Sequence, residues 1–125
     1  MFSHVMIGAK DIQESKKFYD AVLGAIGHAP GMIDDKGRCF YRTDTGTLGL
    51  SIPIDGQPAT HGNGSTIGFL VADDAAANAW HAAGLANGGV TCEDPPGVRG
   101  GPGGMYLAYL RDPAGNKICA LRPPS

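Results

Sequence analysis

The sequence predicts an α+β fold made of two tandem βαβββ modules. Three observations carry that expectation. The chain opens on an apolar stretch of period two followed by a helical apolar stripe, the same pairing recurs in its second half, and a turn-marked hairpin closes each half.

Residues 3–9 place Phe2, His4 and Met6 on one face of a strand and Val5 and Ile7 on the other, which is expected to carry the core. Asp11 is placed to cap a helix, with Glu14 three residues on. Ile12, Tyr19, Val22, Leu23 and Ile26 then fall on one stripe, and Gly24 or Gly27 ends it. After a short segment at 28–33, residues 38–43 and 47–54 flank Asp44-Thr45-Gly46. This reads as a hairpin in which Gly46 supplies a positive φ. The first module is therefore βαβββ.

Setting Thr66 on His4 brings Ile67 onto Val5, Phe69 onto Ile7, Asp73 onto Asp11, Trp80 onto Phe18, Leu85 onto Leu23 and Gly89 onto Gly27. The closing hairpin recurs when Tyr109 to Gly115 is laid on Phe40 to Gly46, and the extra length falls in the Pro/Gly run 95–104. Asp112-Pro113-Ala114-Gly115-Asn116 is a turn, because proline presets φ and Gly and Asn tolerate the left-handed region. The order of cap, aromatic anchor, leucine, glycine and hairpin indicates an internal duplication, with modules at about 1–54 and 66–122 joined by the linker 55–65.

Composition narrows the partner. The chain of 125 residues is 42% hydrophobic and 18% charged, with a net charge of −2 and a pI near 6.0. Its charges are interspersed, with no basic run, so a small molecule or a protein is expected as partner rather than a nucleic acid or a membrane surface. No apolar stretch approaches the roughly 20 residues of a membrane helix, and no signal-peptide pattern opens the chain; a cytoplasmic location is the expectation. Cys39, Cys92 and Cys119 form neither a CxxC pair nor an even framework and read as free thiols.

In their order, HVMIGAKDIQESKKFYDAVLG, TIGFLVAD and LRDPAGNKICAL resemble the vicinal oxygen chelate superfamily, which includes glyoxalase I, bleomycin-resistance proteins and extradiol dioxygenases. The last segment is similar to that family's DPxGNxIE ending. The resemblance implies a mixed sheet curled into a cup, helices outside it, ligand within, and a homodimer with paired or swapped modules. The family's metal enzymes take ligands from the first and last strand of each module. The first-strand positions here are His4 and Thr66. The last-strand position of module two is Cys119; that of module one is Leu50 by the hairpin alignment or Ser51 by the face pattern. His4 and Cys119 are thus the candidate ligands of one divalent ion (Zn, Ni, Mn or Fe), and a metal-free protein is the alternative. A third donor from a dimer partner is expected at His61 or Glu93.

Other residues can carry chemistry without a metal. His4 can act as a base or a hydrogen-bond anchor, and Cys119 is a nucleophile only where a neighbour such as Lys117 lowers its pKa. The run 95–104 lacks any phosphate-loop pattern and reads as a lid with Arg99 at its tip, able to meet a carboxylate or phosphate. Tyr106 and Tyr109 fall on opposite strand faces; both are candidate ligand contacts, with Thr66 and Ser51. Two functions follow from the resemblance: a metal-assisted lyase or isomerase acting on a small oxygenated substrate, with His4 catalytic, or a metal-free protein that sequesters a small molecule as bleomycin-resistance members do.

Overall fold

The computed structural model describes residues 1–125. Module one runs β1 (His4–Gly8), α1 (Ile12–Gly24), β2 (Met32–Ile33), β3 (Cys39–Thr43) and β4 (Gly46–Ser51). Module two runs β5 (Ile67–Leu70), α2 (Asp74–Ala86), β6 (Val90–Thr91), β7 (Gly97–Arg99), β8 (Met105–Arg111) and β9 (Lys117–Arg122). The strand orders are β1-β4-β3-β2 and β5-β9-β8-β6, with β7 also on β8. Each sheet is mixed, since β1 runs parallel to β4 and β5 parallel to β9 while the hairpins are antiparallel.

Both helices start as the sequence predicts. Asp11 Oδ1 accepts the Glu14 N–H at 2.9 Å and Asp73 Oδ1 accepts the Ala76 N–H at 2.8 Å, each satisfying an amide that the first helical turn leaves free. The turn after the first helix closes on Gly27, whose φ of +97° lets the His28 N–H reach back to Leu23 O at 3.0 Å.

The helices lie on the face of each sheet away from the open side, against each other. Phe18, Val22, Leu48, Leu50, Trp80, Leu110 and Ile118 belong to one core shared by both modules. Close approach of α1 to α2 uses Gly84: a Cβ there would sit 2.3 Å from Leu110 Cδ1 and 3.2 Å from Phe18 and Val22. The buried stripe of α2 is therefore Ala77, Trp80 and Gly84, and Leu85 falls beside it, 47% exposed, where the alignment with Leu23 predicts burial. The positive φ after α2 belongs to Gly88, one residue earlier than the alignment expects.

Two turns also differ from expectation. Gly46 has no positive φ; it is the first residue of β4, paired with Thr43, and the Thr43 hydroxyl organises the two-residue turn by donating to Gly46 O and accepting from the Thr45 N–H. In module two Asp112 pairs with Asn116 through the Asp112 N–H and Asn116 O, so that turn holds one residue more. Beyond it, the alignment of the last strands shifts. Met6 pairs with Gly49 as Gly68 pairs with Cys119, so the counterpart of Cys119 in module one is Gly49, and neither Leu50 nor Ser51. Part of the supposed lid is a strand as well, since Gly97 and Arg99 of β7 pair with Leu107 and Met105.

Candidate functional site

Alternation fixes what each sheet presents on the side away from the helices. On module one, the registers His4↔Thr47↔Arg42 and Met6↔Gly49↔Phe40↔Met32 form two adjacent cross-strand rows, with Ser51 opposite Gly8 beyond them. Val5, Ile7, Cys39, Tyr41, Leu48 and Leu50 take the opposite face, where their apolar surface enters or borders the core. Met6 fills the space over Gly49, where an added Cβ would lie 2.3 Å from its Sδ and 2.9 Å from Phe40 Cε1. His4 is exposed, and its Nδ1 lies 2.7 Å from Ser3 Oγ.

On module two the open face carries Gly68, Leu70, Leu107, Tyr109, Lys117, Cys119 and Leu121. Tyr109 lies directly opposite Cys119, and Lys117 Nζ is 5.1 Å from the Tyr109 ring and ion-paired with Glu93. Burial pushes the Cys119 thiol up, only partly opposed by Lys117, so its thiolate is disfavoured. Burial also raises the Tyr109 phenol, and the charges of Cys119 and Glu93 add to that.

The expected site residues are divided by this arrangement. Tyr106 lies on the helix side, its hydroxyl donating to Asn78 Oδ1 of α2 at 2.7 Å, while Tyr109 shares the open face with Cys119. Arg99 is not at a free tip; its guanidinium donates to the carbonyls of Gly97, Asp94 and Pro95 and so braces its own loop. Thr66 is exposed one residue before β5, and His61 packs over the closing turn, 3.2 Å from where a Gly115 Cβ would be. His4 and Cys119 stand on different sheets. Arg42, Phe40 and Met6 were not singled out by sequence reasoning, although the alternation that places His4 on the open face, carried through the hairpin pairing, identifies all three.

The donor set does not fit a catalytic divalent ion within one chain. Such an ion needs about three protein ligands. Nowhere in the chain are three His, Cys, Asp or Glu side chains grouped to hold one, and three of the four strand positions at issue are Thr66, Gly49 and a thiol held protonated by burial.

A cleft of about 450 Å³ lies at the seam between the modules. Leu23, Tyr41, Leu48, Ile67 and Phe69 line it, with Thr47, Gly68 and Leu70 also in its wall. It exists because β1 and β5 belong to different sheets that no hydrogen-bond ladder joins.

With fold and faces established, the chain belongs to the glyoxalase/bleomycin resistance protein/dioxygenase superfamily, whose model matches residues 1–120. It is similar to a glyoxalase/bleomycin resistance protein from Albidiferax ferrireducens T118, with 60% identity, a TM-score of 0.93 and 99% of each chain covered. The fold is shared with a glyoxalase-related enzyme from Fulvimarina pelagi (20% identity, TM-score 0.72, 98% of this chain and 87% of that one). It is shared also with lactoylglutathione lyase from Agrobacterium tumefaciens (20% identity, TM-score 0.67, 98% and 92%). No curated protein matches the chain. No helix is long and apolar enough to cross a membrane.

Proposed function

We propose that this protein binds a small molecule without a metal, in a cup completed when the open face of module one in one copy meets that of module two in another. The observation that carries the reading is the composition of those faces. Met6, Met32, Leu70 and Met105 stand 38–71% exposed on them, while the strand positions that would hold a metal keep one histidine. Exposed methionines suit a ligand surface, because their flexible thioethers adapt to apolar shapes. Pairing two such faces removes apolar area from water at roughly 25 cal/mol per Å² and leaves a water-poor space between them. The name of the Albidiferax relative, a glyoxalase/bleomycin resistance protein, is compatible with sequestration. The metal-assisted lyase or isomerase is the weaker reading, because only His4 keeps a ligating side chain among the first-strand positions.

Two measurements test the proposal. Sedimentation is expected to show a dimer that Met6→Lys dissociates, and a monomer at all concentrations overturns the shared cup. Melting temperature is expected to stay unchanged with Zn²⁺, Ni²⁺, Mn²⁺ or Fe²⁺, and a rise that His4→Ala abolishes overturns the metal-free reading.

A further inference from the structure

The chain has five arginines, and four have their donors engaged. Arg38 is paired with Asp34, Arg99 with three backbone carbonyls, Arg111 with Gly115 O, and Arg122 with Asp74 and the carbonyls of Gly104 and Pro123. Arg42 has no oxygen acceptor. Its guanidinium carbon lies 4.5 Å from the Phe40 ring centroid, a cation–π contact that positions the group while leaving its N–H donors unused.

Arg42 also ends the cross-strand row His4–Thr47–Arg42 on the open face of module one. Every member can donate a hydrogen bond: an imidazole, a hydroxyl that makes no hydrogen bond within the chain, and a guanidinium. No carboxylate belongs to the row. The next row, Met6–Gly49–Phe40, is apolar and lies two residues along each strand, about 7 Å away. A cationic, donor-rich line thus borders an apolar floor at the length of one small ring system.

We propose that this row is the anion subsite of the cup, and that the ligand is a small amphipathic oxyanion of carboxylate type. Its charged head meets Arg42, with Thr47 and His4 beside it, and its apolar body lies on Met6 and Phe40. The inference rests on the reading of the open faces as the ligand site and adds the chemical class of ligand. Arg42 is the specificity-determining residue, since a guanidinium fork matches a planar carboxylate in two parallel hydrogen bonds.

The test is a titration followed by amide NMR shifts, with two matched probes, 2-naphthoate and its uncharged analogue 2-naphthalenemethanol. Wild type is expected to bind the carboxylate about tenfold more tightly than the alcohol, with shifts centred on His4, Met6, Phe40 and Arg42. Arg42→Ala is expected to lose that preference and to keep its affinity for the alcohol, and Arg42→Lys to recover part of the preference. Arg42 is exposed, so an unchanged circular dichroism melt checks that the variants fold. Equal binding of the two probes by wild type overturns the anion subsite while leaving the cup standing. Absence of binding by either probe overturns both readings.

Discussion

The Tyr19 hydroxyl donates to Asp112 Oδ2 at 2.6 Å, across 93 residues of sequence, with both side chains buried. The contact ties α1 of module one to the closing turn of module two. Asp112 is the hub of that turn: its other oxygen accepts the Ala114 and Asn116 N–H groups, and the Asn116 amide donates both to Asp112 and to Gly8 O at the end of β1. One carboxylate therefore fixes a local turn and the packing of two modules together. This latch acts on the helix side and leaves the open faces available.

Tyr19→Phe is expected to lower stability by about 1–3 kcal/mol, because it removes a donor from a buried carboxylate. The melting temperature should fall by about 4 °C per kcal/mol. The same hydroxyl sets an alkaline limit. Burial, then the Asp112 charge, raises the Tyr19 phenol well above its ordinary value of 10.0, and burial raises Tyr41 as well. Their contribution is complete below the ordinary value. It is lost as pH rises through the native values, because the unfolded chain ionises first. Denaturant midpoints measured from pH 8 upward should decline above about pH 10, and less steeply in Tyr19→Phe. A flat profile in wild type contradicts this.

Asp20 sets a corresponding acid limit. Burial alone would raise its carboxyl, but Lys16 Nζ, the Gly31 N–H and the Tyr41 hydroxyl all donate to it, and together they hold it below its ordinary value of 3.8. This contribution is complete above 3.8 and is lost as pH falls from there through the native value. Asp20→Asn is expected to cost about 1 kcal/mol at neutral pH, discounted for partial exposure of the ion pair. Urea unfolding at pH 7 and pH 3 should show the difference between the two proteins shrinking in acid.

Gly84→Ala tests the helix contact. The added methyl meets Phe18 and Val22 of α1 and Leu110 of β8, all buried, so the two helices and the β8 strand must separate. A loss of about 1–3 kcal/mol is expected, read from the fluorescence of the single buried tryptophan, Trp80. At an open helix position the same change would stabilise, since alanine is the better helix former, so the sign of the effect decides.

Both helices and the strands β1, β3, β4, β5, β8 and β9 were legible in the sequence because short-range physics governs them, whereas β7 lay hidden in the Pro/Gly run 95–104. Period-two alternation set the faces of His4 and Val5, and the Asp11 and Asp73 caps act within one helical turn, as expected. The repeated order of strand, capped helix and hairpin was visible for the same reason, because each module must solve the same local problem of one apolar face and one capped helix. Tertiary structure decided what depends on register and on contacts distant in the chain. One additional turn residue moved the counterpart of Cys119 to Gly49, since each residue inserted in a hairpin displaces everything after it. The close approach of the helices chose Gly84 over Leu85 for burial. Competition among acceptors engaged Arg99 within its own loop and left Arg42 unpaired beside Phe40, a distinction that residue type and spacing do not encode.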